Sequence, residues 1–228
     1  MAQRGTRFEA VSLDVGGVLV VPDHGLLAGA LDDLAIAYDR SRFGLGHYLA
    51  MAAVDRAASD PEDFTDYLWA FLDGVDVDEP ARAVAHELLL GLLSTPIWCQ
   101  PLPGAREGLA RLDRAGLRLA VTSNSDGRVE DLLRRHEWVQ VGPGPGVSVE
   151  VVTDSGNVGV GKPDRRVFDA TLDCFGLPAE RVLHIGDSVH YDVDGAAAAG
   201  LQVVHMDPYA LCTADHAHVR TLGELLDR

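Results

Sequence analysis

Four short segments concentrate the side chains that could carry out chemistry. They combine aspartates, serines and one lysine with glycines, and they read LDVGGVL (13–19), VTSNSD (121–126), GVGKPD (159–164) and HIGDSVHYDVDG (184–195). A carboxylate can attack an electrophile, several carboxylates can gather a divalent cation, and an ammonium can balance negative charge at a reacting group. Each segment is a weak signal by itself, because a single aspartate in an acidic protein is usually a solvated surface charge. Their meaning depends on whether the fold brings them together.

The lysine of the third segment is unusual in this composition. Lys162 is the only lysine of the chain, whereas the other 18 of its 19 basic residues are arginines. A planar guanidinium does not replace a compact ammonium where a point charge is needed. The retention of lysine at this position therefore predicts a site that requires a small cationic group.

The elements that would position these segments alternate between strand and helix. Helical patterns lie at Ala105–Ala115, Arg128–His136 and Pro163–Phe175, the last with Pro163 in its first helical position and Gly176 as its end. Short apolar runs are typical of five buried parallel strands: Phe8–Asp14, Leu117–Ser123, Val147–Thr153, Val182–Gly186 and Gln202–His205. The alternation predicts an α/β fold with a doubly wound, Rossmann-like parallel sheet. All four segments follow predicted strands, and ligands of such sheets bind beyond the carboxyl ends of the strands.

The stretch between the first two strands breaks this alternation. Prolines at 22, 96, 101 and 103 mark its ends, and its amphipathic patterns predict four helices: Leu26–Tyr38, Gly46–Ala58, Pro61–Leu72 and Ala81–Leu93. A helical insert that leaves after one strand and returns before the next indicates a cap over the strand ends. We therefore predict a core domain made of residues 1–20 and 101–228 and a helical cap domain of residues 21–100.

Composition excludes several classes of partner. The net charge of −16 would repel nucleic acid and anionic membranes. No run approaches the roughly 20 apolar residues of a membrane span, and the first residues lead into a predicted strand without an apolar signal core. We therefore expect a cytoplasmic protein that binds a small molecule, and the sequence leaves its oligomeric state open. The cysteines, Cys99, Cys174 and Cys212, form no CxxC pair and predict no disulfide framework.

In their order and their placement after strands, the four segments closely resemble the motifs of the haloacid-dehalogenase-like superfamily. The resemblance covers nearly the whole chain and points to the branch with a helical cap between the first and second motifs. It implies a magnesium-dependent hydrolase, most simply a phosphatase that acts on a small phosphorylated metabolite through an aspartyl-phosphate at Asp14. A carboxylate that attacks phosphorus splits one difficult step into two easier ones.

The resemblance also implies a role for each motif residue. Asp14 would be the nucleophile, and Lys162 would stabilise charge on the transferring group. Ser123 would take part in catalysis and, with Asn124, Gly17 and Lys162, would bind the phosphate. The residues implied as Mg²⁺ ligands are Asp14, Asp187, Asp192 and the backbone carbonyl of Gly16. Asp192 could bind through water or orient Lys162 instead.

One position departs from the family pattern. Its hydrolases usually carry a second aspartate two residues after the nucleophile, as a general acid and base, and here that residue is Gly16. Two histidines near the predicted strand ends, His24 and His190, could supply the missing proton transfer. The substitution also leaves two alternatives open: a non-catalytic phosphate-binding or regulatory protein, and a dehalogenase-type hydrolase.

Several other patterns have simpler interpretations. GNVGVGK (156–162) resembles a P-loop, but Pro163 stands where Ser or Thr would hold Mg²⁺. CTADHAH (212–218) contains metal-ligand types, but it has no second ligand pair, and we interpret it as a polar surface loop. The cap residues that could contact substrate, each more simply explained by helix packing, are His47, Tyr48, Tyr67 and Trp69.

Overall fold

A computed structural model describes residues 8–58, 63–93 and 95–227. In this part of the chain a six-stranded sheet with all neighbouring strands parallel forms the centre of the molecule, in the order β10-β9-β8-β1-β4-β7. Its strands are β1 (Ala10–Leu13), β4 (Arg118–Ser123), β7 (Val152–Asp154), β8 (Val182–Gly186), β9 (Gln202–Met206) and β10 (His218–Val219). The predicted doubly wound α/β fold is confirmed.

Helices cover both faces of the sheet, because the side chains of its strands alternate between two apolar clusters. On β1, Val11 and Leu13 join the cluster that includes residues of α5, whereas Ala10 joins the cluster that includes residues of α8. These helices are α5 (Ala105–Arg114), α6 (Val129–Arg135), α8 (Arg165–Phe175) and α9 (Gly195–Ala198), with a single short turn, α7 (Ser155–Val158), after β7. The observed ends of α5 and α6 lie within one residue of the predicted ones.

Two predicted elements differ from the structure. The run Val147–Thr153 is not one strand: β6 (Val147–Val149) pairs with β5 (Val139–Val141) in a small separate sheet, and the chain reaches the main sheet at β7. A continuous apolar run does not reveal where the chain leaves one sheet for another. Pro163 is not in the first helical position either, because the Asp164 side chain caps α8 at the backbone N–H of Arg166.

A second helical layer lies between β2 (Val20–Pro22) and β3 (Trp98–Pro101), which pair with each other in an antiparallel ribbon. Within the described residues, its helices are α1 (His24–Asp33), α2 (Phe43–Ala57), α3 (Thr65–Gly74) and α4 (Glu79–Leu93). They enclose an apolar cluster of their own. The predicted first helix ends early, since the chain turns at Ala35 with a φ of 52°, and positions 61 and 62 of the predicted third helix lie outside the described residues. The division into core and cap domains remains a prediction.

Hydroxyl groups cross the buried side of the sheet in a continuous chain. Ser12 on β1 bonds Thr122 on β4 at 2.8 Å, Thr122 bonds Thr171 on α8 at 2.7 Å, and Thr171 bonds Thr153 on β7 at 2.7 Å. At its other end Ser12 bonds Nδ1 of His184 at 3.0 Å. Because a buried hydroxyl without a partner is costly, this series of hydrogen bonds fixes the strands that carry the sequence motifs.

No helix in the described residues is both long enough and apolar enough to span a membrane.

Candidate active site

Three carboxylates and one ammonium meet beyond the carboxyl ends of β1 and β8. Asp14 directly follows β1, Asp187 directly follows β8, and Asp192 lies in the helical turn after β8. One carboxylate oxygen from each lies within 4.8 Å of the others, and all three side chains are buried. The structure thus brings together the predicted nucleophile and the predicted acidic pair, and this group could hold a metal ion.

Lys162 lies between two of these carboxylates. Its Nζ donates to Asp14 Oδ1 at 2.9 Å and to Asp192 Oδ1 at 2.5 Å, and the residue is only 3% exposed. Asp192 Oδ1 also accepts from His184 Nε2 at 3.0 Å, and its Oδ2 accepts from the Ser188 backbone N–H at 3.1 Å. With its oxygens engaged in this way, Asp192 is placed to orient Lys162, which is one of the two roles that the sequence left open.

Burial and neighbouring charge determine how these groups ionise. Burial raises the pKa of Asp14 to about 6, against the opposing effect of Lys162, so this carboxyl is mainly ionised at neutral pH. Burial would also raise the pKa of Asp192, but Lys162 and His184 outweigh it and hold that pKa below its usual value. Burial would lower the pKa of Lys162, yet Asp14 and Asp192 raise it, so the ammonium stays charged.

Asp187 has a different environment. Burial, reinforced by the charge of Asp192, raises its pKa well above the usual value. Its Oδ2 lies 2.9 Å from His47 Nε2, and His47 Nδ1 lies 2.8 Å from the hydroxyl of Tyr67. Burial lowers the pKa of His47 to about 3, so this ring is neutral at physiological pH. Asp187 is therefore the carboxyl whose ionised form would gain most from a bound cation.

The predicted phosphate-binding residues are adjacent to this group, but two of them already have other partners. The Asn124 side chain accepts from the Lys162 N–H at 2.7 Å and donates to the Lys162 carbonyl at 3.0 Å, so it holds the lysine backbone. The N–H of Gly17 donates to the Val20 carbonyl at 2.9 Å. Ser123 ends β4 and lines the same cavity as Asp14. Substrate binding by these residues remains a prediction.

The glycines after Asp14 have different steric surroundings. Gly17 has a φ of +62°, and a Cβ there would lie 2.0 Å from Asp187 Oδ2, so only glycine fits. A Cβ on Gly16 would meet Trp98 at 3.5 Å, which is an ordinary van der Waals contact. The position at which the family usually has its second aspartate can therefore accept a Cβ atom.

Side chains on one face of α2 form hydrogen bonds with the loops that carry Asp14 and Asp187. The Tyr48 hydroxyl donates to the Gly17 carbonyl at 2.7 Å, and His47 reaches Asp187 as described. Asp55 accepts from the Ser188 hydroxyl at 2.5 Å and from the backbone N–H groups of the two residues that follow at 2.8 and 3.1 Å. The sequence analysis missed Asp55. The four-residue spacing of His47, Met51 and Asp55 was the available signal, because it places them on one helical face.

A cavity of about 590 Å³ opens above the acidic group. Helices and linkers of the second layer supply its apolar wall, formed by Met51, Val54, Phe64, Tyr67, Leu93 and Trp98. His47 is the histidine among the described residues that line it, and neither His24 nor His190 does. Trp69 is 42% exposed and stacks on His86, so its interpretation as a packing residue holds, whereas His47 and Tyr67 face the cavity.

The fold and this site define a class of protein: an α/β protein with a doubly wound parallel sheet, a strand-end aspartate, a buried lysine and an acidic pair. Comparison with known proteins gives the family. The profile of haloacid dehalogenase-like hydrolases matches residues 8–200, and the chain belongs to that family.

Curated relatives agree with this membership, and a solved structure shares the fold. A phosphoserine phosphatase of Thermus thermophilus is 40% identical over 129 residues, which are 57% of this chain and 48% of that protein. A phosphoglycolate phosphatase of Mesorhizobium japonicum is 33% identical over 54% of this chain and 53% of that protein. The chain thus spans about half the length of the curated relatives it matches. The fold is similar to that of the putative hydrolase YfnB of Bacillus subtilis, solved bound to magnesium, with a TM-score of 0.65, 19% identity and coverage of 97% and 98% of the two chains.

Proposed function

We propose that the protein is a magnesium-dependent phosphatase that acts on a small phosphorylated metabolite through an aspartyl-phosphate at Asp14. The observation that carries the proposal is the contact of a buried, ionised Asp14 with the only lysine of the chain, in a cavity that also holds the acidic pair. Relatives named as phosphatases over about half of the chain support it.

The chain's own residues divide the reaction between them. Asp14 attacks phosphorus with one carboxylate oxygen, and the bond from phosphorus to the leaving alkoxide breaks as the acyl phosphate forms. Lys162 faces the same point and stabilises the negative charge that develops on the phosphoryl oxygens. Ser123 and the start of the loop that follows it bind a phosphoryl oxygen. Water then attacks the acyl phosphate, which releases inorganic phosphate and restores the carboxylate.

The donor set at this site fits magnesium. Three carboxylates within 4.8 Å of one another, balanced by one ammonium, leave an excess of negative charge and offer only oxygen ligands. Such ligands suit Mg²⁺, which binds through a few carboxylates together with water and substrate phosphate. Asp14, Asp187 and the carbonyl of Gly16 would hold the ion, with Asp192 acting directly or through water. When bound, the ion neutralises the repulsion between Asp14 and a phosphate dianion.

Removal of divalent metal tests this assignment. We expect EDTA to abolish turnover of p-nitrophenyl phosphate and Mg²⁺ to restore it. Ca²⁺ should restore little activity, because its looser coordination misplaces the phosphate. The measurement is the initial rate after chelation and replacement, with heat-denatured protein as the blank. Full activity in the chelated protein would contradict the assignment of the acidic group.

Gly16 predicts unequal rates for the two chemical steps. General acid–base catalysis contributes roughly 10²–10⁴ in rate, and His47, the histidine of the cavity wall, is a poor proton acceptor with a pKa of about 3. Formation of the intermediate from an aryl phosphate needs little acid, whereas its hydrolysis needs a base. We therefore expect a burst of about one p-nitrophenolate per chain, followed by slow turnover, in rapid-mixing experiments.

Substitution at this position provides the matched comparison. Gly16→Asp should raise steady-state turnover, because a Cβ is tolerated there, whereas Gly16→Asn supplies similar bulk without an ionisable group and should not. The absence of a burst would contradict the unequal rates and would mean that another group supplies the proton transfer.

Two alternatives predict different results. A non-catalytic phosphate-binding protein would bind inorganic phosphate with Mg²⁺ but would not turn over any phosphomonoester. A dehalogenase-type hydrolase would release halide from a 2-haloacid after chelation. The buried Asp14–Lys162–Asp192 group argues against the first, because a charged cluster that is costly to bury has an immediate use in catalysis.

The cavity wall indicates where substrate selection occurs. Its aromatic and aliphatic side chains line the same cavity as two exposed arginines, Arg135 and Arg128, of which Arg128 pairs with Asp126. A small phosphomonoester with a second anionic group would reach both the acidic centre and an arginine. Sugar phosphates and small phosphorylated acids are therefore the first compounds to screen.

A further inference from the structure

A second group of metal-ligand side chains lies away from the carboxylates of the active site. His205 is on β9, His218 is on β10, and Cys212 and His216 are in the loop between these strands. One ligand atom from each lies within 4.8 Å of all the others. The segment CTADHAH by itself lacked a second ligand pair, and the fold brings His205 to it.

The parallel pairing of two strands produces this arrangement. His205 and His218 are direct partners in the β9–β10 register, so both side chains are on the same face of the sheet. The His216 ring lies over this pair, with centroids 5.2 Å from His205 and 4.4 Å from His218. The Asp207 carboxylate accepts from the backbone N–H groups of Leu211 and Cys212, both at 2.9 Å, and so fixes the loop that presents the thiol.

Two of the distances between ligand atoms match those around a tetrahedral zinc ion. Bond lengths of about 2.05 Å to nitrogen and 2.3 Å to sulfur place two nitrogens about 3.3 Å apart and a nitrogen and a sulfur about 3.6 Å apart. In the structure, His216 Nε2 lies 3.2 Å from His205 Nδ1 and 3.7 Å from Cys212 Sγ. The other pairs of ligand atoms in the group, including those with His218, lie within 4.8 Å of each other.

The outer contacts of the group are also those of a metal site. His205 Nε2 donates to the Asp187 backbone carbonyl at 3.1 Å, and its other ring nitrogen, Nδ1, is directed at the cluster. A hydrogen bond from the second ring nitrogen to a carbonyl is the usual support of a metal-binding histidine. A cavity of about 340 Å³, lined by His205 and Cys212, gives an ion access to the group.

The geometry points to a structural zinc site formed by His205, Cys212, His216 and His218. Three imidazoles and a thiolate suit Zn²⁺ and not Mg²⁺, which prefers oxygen ligands. On binding, Cys212 loses its thiol proton to solvent and forms the sulfur–zinc bond. The ion would join β9, β10 and the intervening loop, and through His205 it would brace the backbone of Asp187 behind the active site.

The test uses the full chain, stripped of metal with a chelator and then supplied with excess Mg²⁺ so that the carboxylates are saturated. When zinc is then added, we expect about one zinc per chain to remain after gel filtration. When Co²⁺ is added in place of zinc, we expect thiolate-to-metal absorption. The Tm should rise by about 5–10 °C at a zinc concentration about a hundredfold above the Kd. All three signals should be lost in Cys212→Ser and His216→Ala. They should persist in the matched controls Cys174→Ser, an exposed cysteine on α8, and His136→Ala.

Three results would overturn the site. The first is less than about 0.2 zinc per wild-type chain. The second is a Co²⁺ spectrum without thiolate absorption in the wild-type protein, a result that does not depend on how any variant folds. The third is zinc that is retained in Cys212→Ser but lost in Asp14→Asn, which would assign the ion to the carboxylates. None of these measurements uses turnover, so the zinc site and the phosphatase proposal can fail separately.

Discussion

The Asp14→Asn variant should lose at least about 99% of turnover while it keeps its fold. The amide preserves the size of the side chain but removes the charge that attacks phosphorus in the proposed mechanism, and a hundredfold loss corresponds to about 2.7 kcal/mol of barrier. Initial rates with p-nitrophenyl phosphate measure the loss, and circular dichroism and Tm check the fold. Because Asp14 lies 2.9 Å from Lys162, a modest change in Tm in either direction is compatible with the prediction.

Asp113→Asn is the matched control, because it makes the same chemical change at an exposed position on α5. It should retain full activity. If Asp14→Asn instead retained more than about a hundredth of the wild-type rate, the nucleophile would have to be another residue, and Asp187 would be the next to replace.

Lys162→Arg should be nearly as damaging as Lys162→Ala, with each losing at least about a hundredfold in turnover. The ammonium occupies a buried space, 2.9 Å from Asp14 Oδ1 and 2.5 Å from Asp192 Oδ1. The larger, planar guanidinium cannot enter that space without moving one of the carboxylates, although it keeps the positive charge. The two variants are compared by their kcat values with p-nitrophenyl phosphate.

Arg165→Lys tests the opposite exchange on the exposed face of α8, where Arg165 pairs with Asp169 one turn away. It should change neither rate nor stability measurably, since an exposed pair of this kind contributes little. If Lys162→Arg kept more than half of the wild-type rate, charge rather than shape would be the requirement at position 162.

The sequence predicted the sheet because its physical signal is local. An apolar run followed by an aspartate defines both a buried strand and the place where it ends, so β1 and β8 and their acids were found within a few residues. The assignment of Val147–Thr153 to one strand was wrong, since apolar character does not say which sheet a strand joins. The short β10 escaped notice because two residues carry no periodicity.

The sequence could not predict contacts between residues that are brought together only when the chain folds. Nothing local relates His47 to Asp187, which are 140 positions apart, or Asp55 to the turn that begins at Ser188. We interpreted His47 as a packing residue because a histidine on an amphipathic helix usually packs against neighbouring helices. That general rule takes no account of a partner such as Asp187, which lies in the layer formed by the central sheet. His205 was likewise read as the end of a strand, because the loop that approaches it follows later in the chain.

Because Lys162 is buried, the rate at which its amine is acylated would report how often the surrounding structure opens. An amine-directed acylating reagent has only one lysine side chain to modify, and that side chain is 3% exposed and pairs with two carboxylates. Acylation there requires the pairs to separate and the nitrogen to lose its proton, so its rate follows the population of an opened state rather than the reactivity of a surface amine. Mass spectrometry can follow the appearance of one acyl group on the peptide that contains Lys162. The rate of its appearance would therefore measure how often the cavity beside Asp14 opens. A phosphate analogue that occupies the cavity would lower the rate of acylation of Lys162.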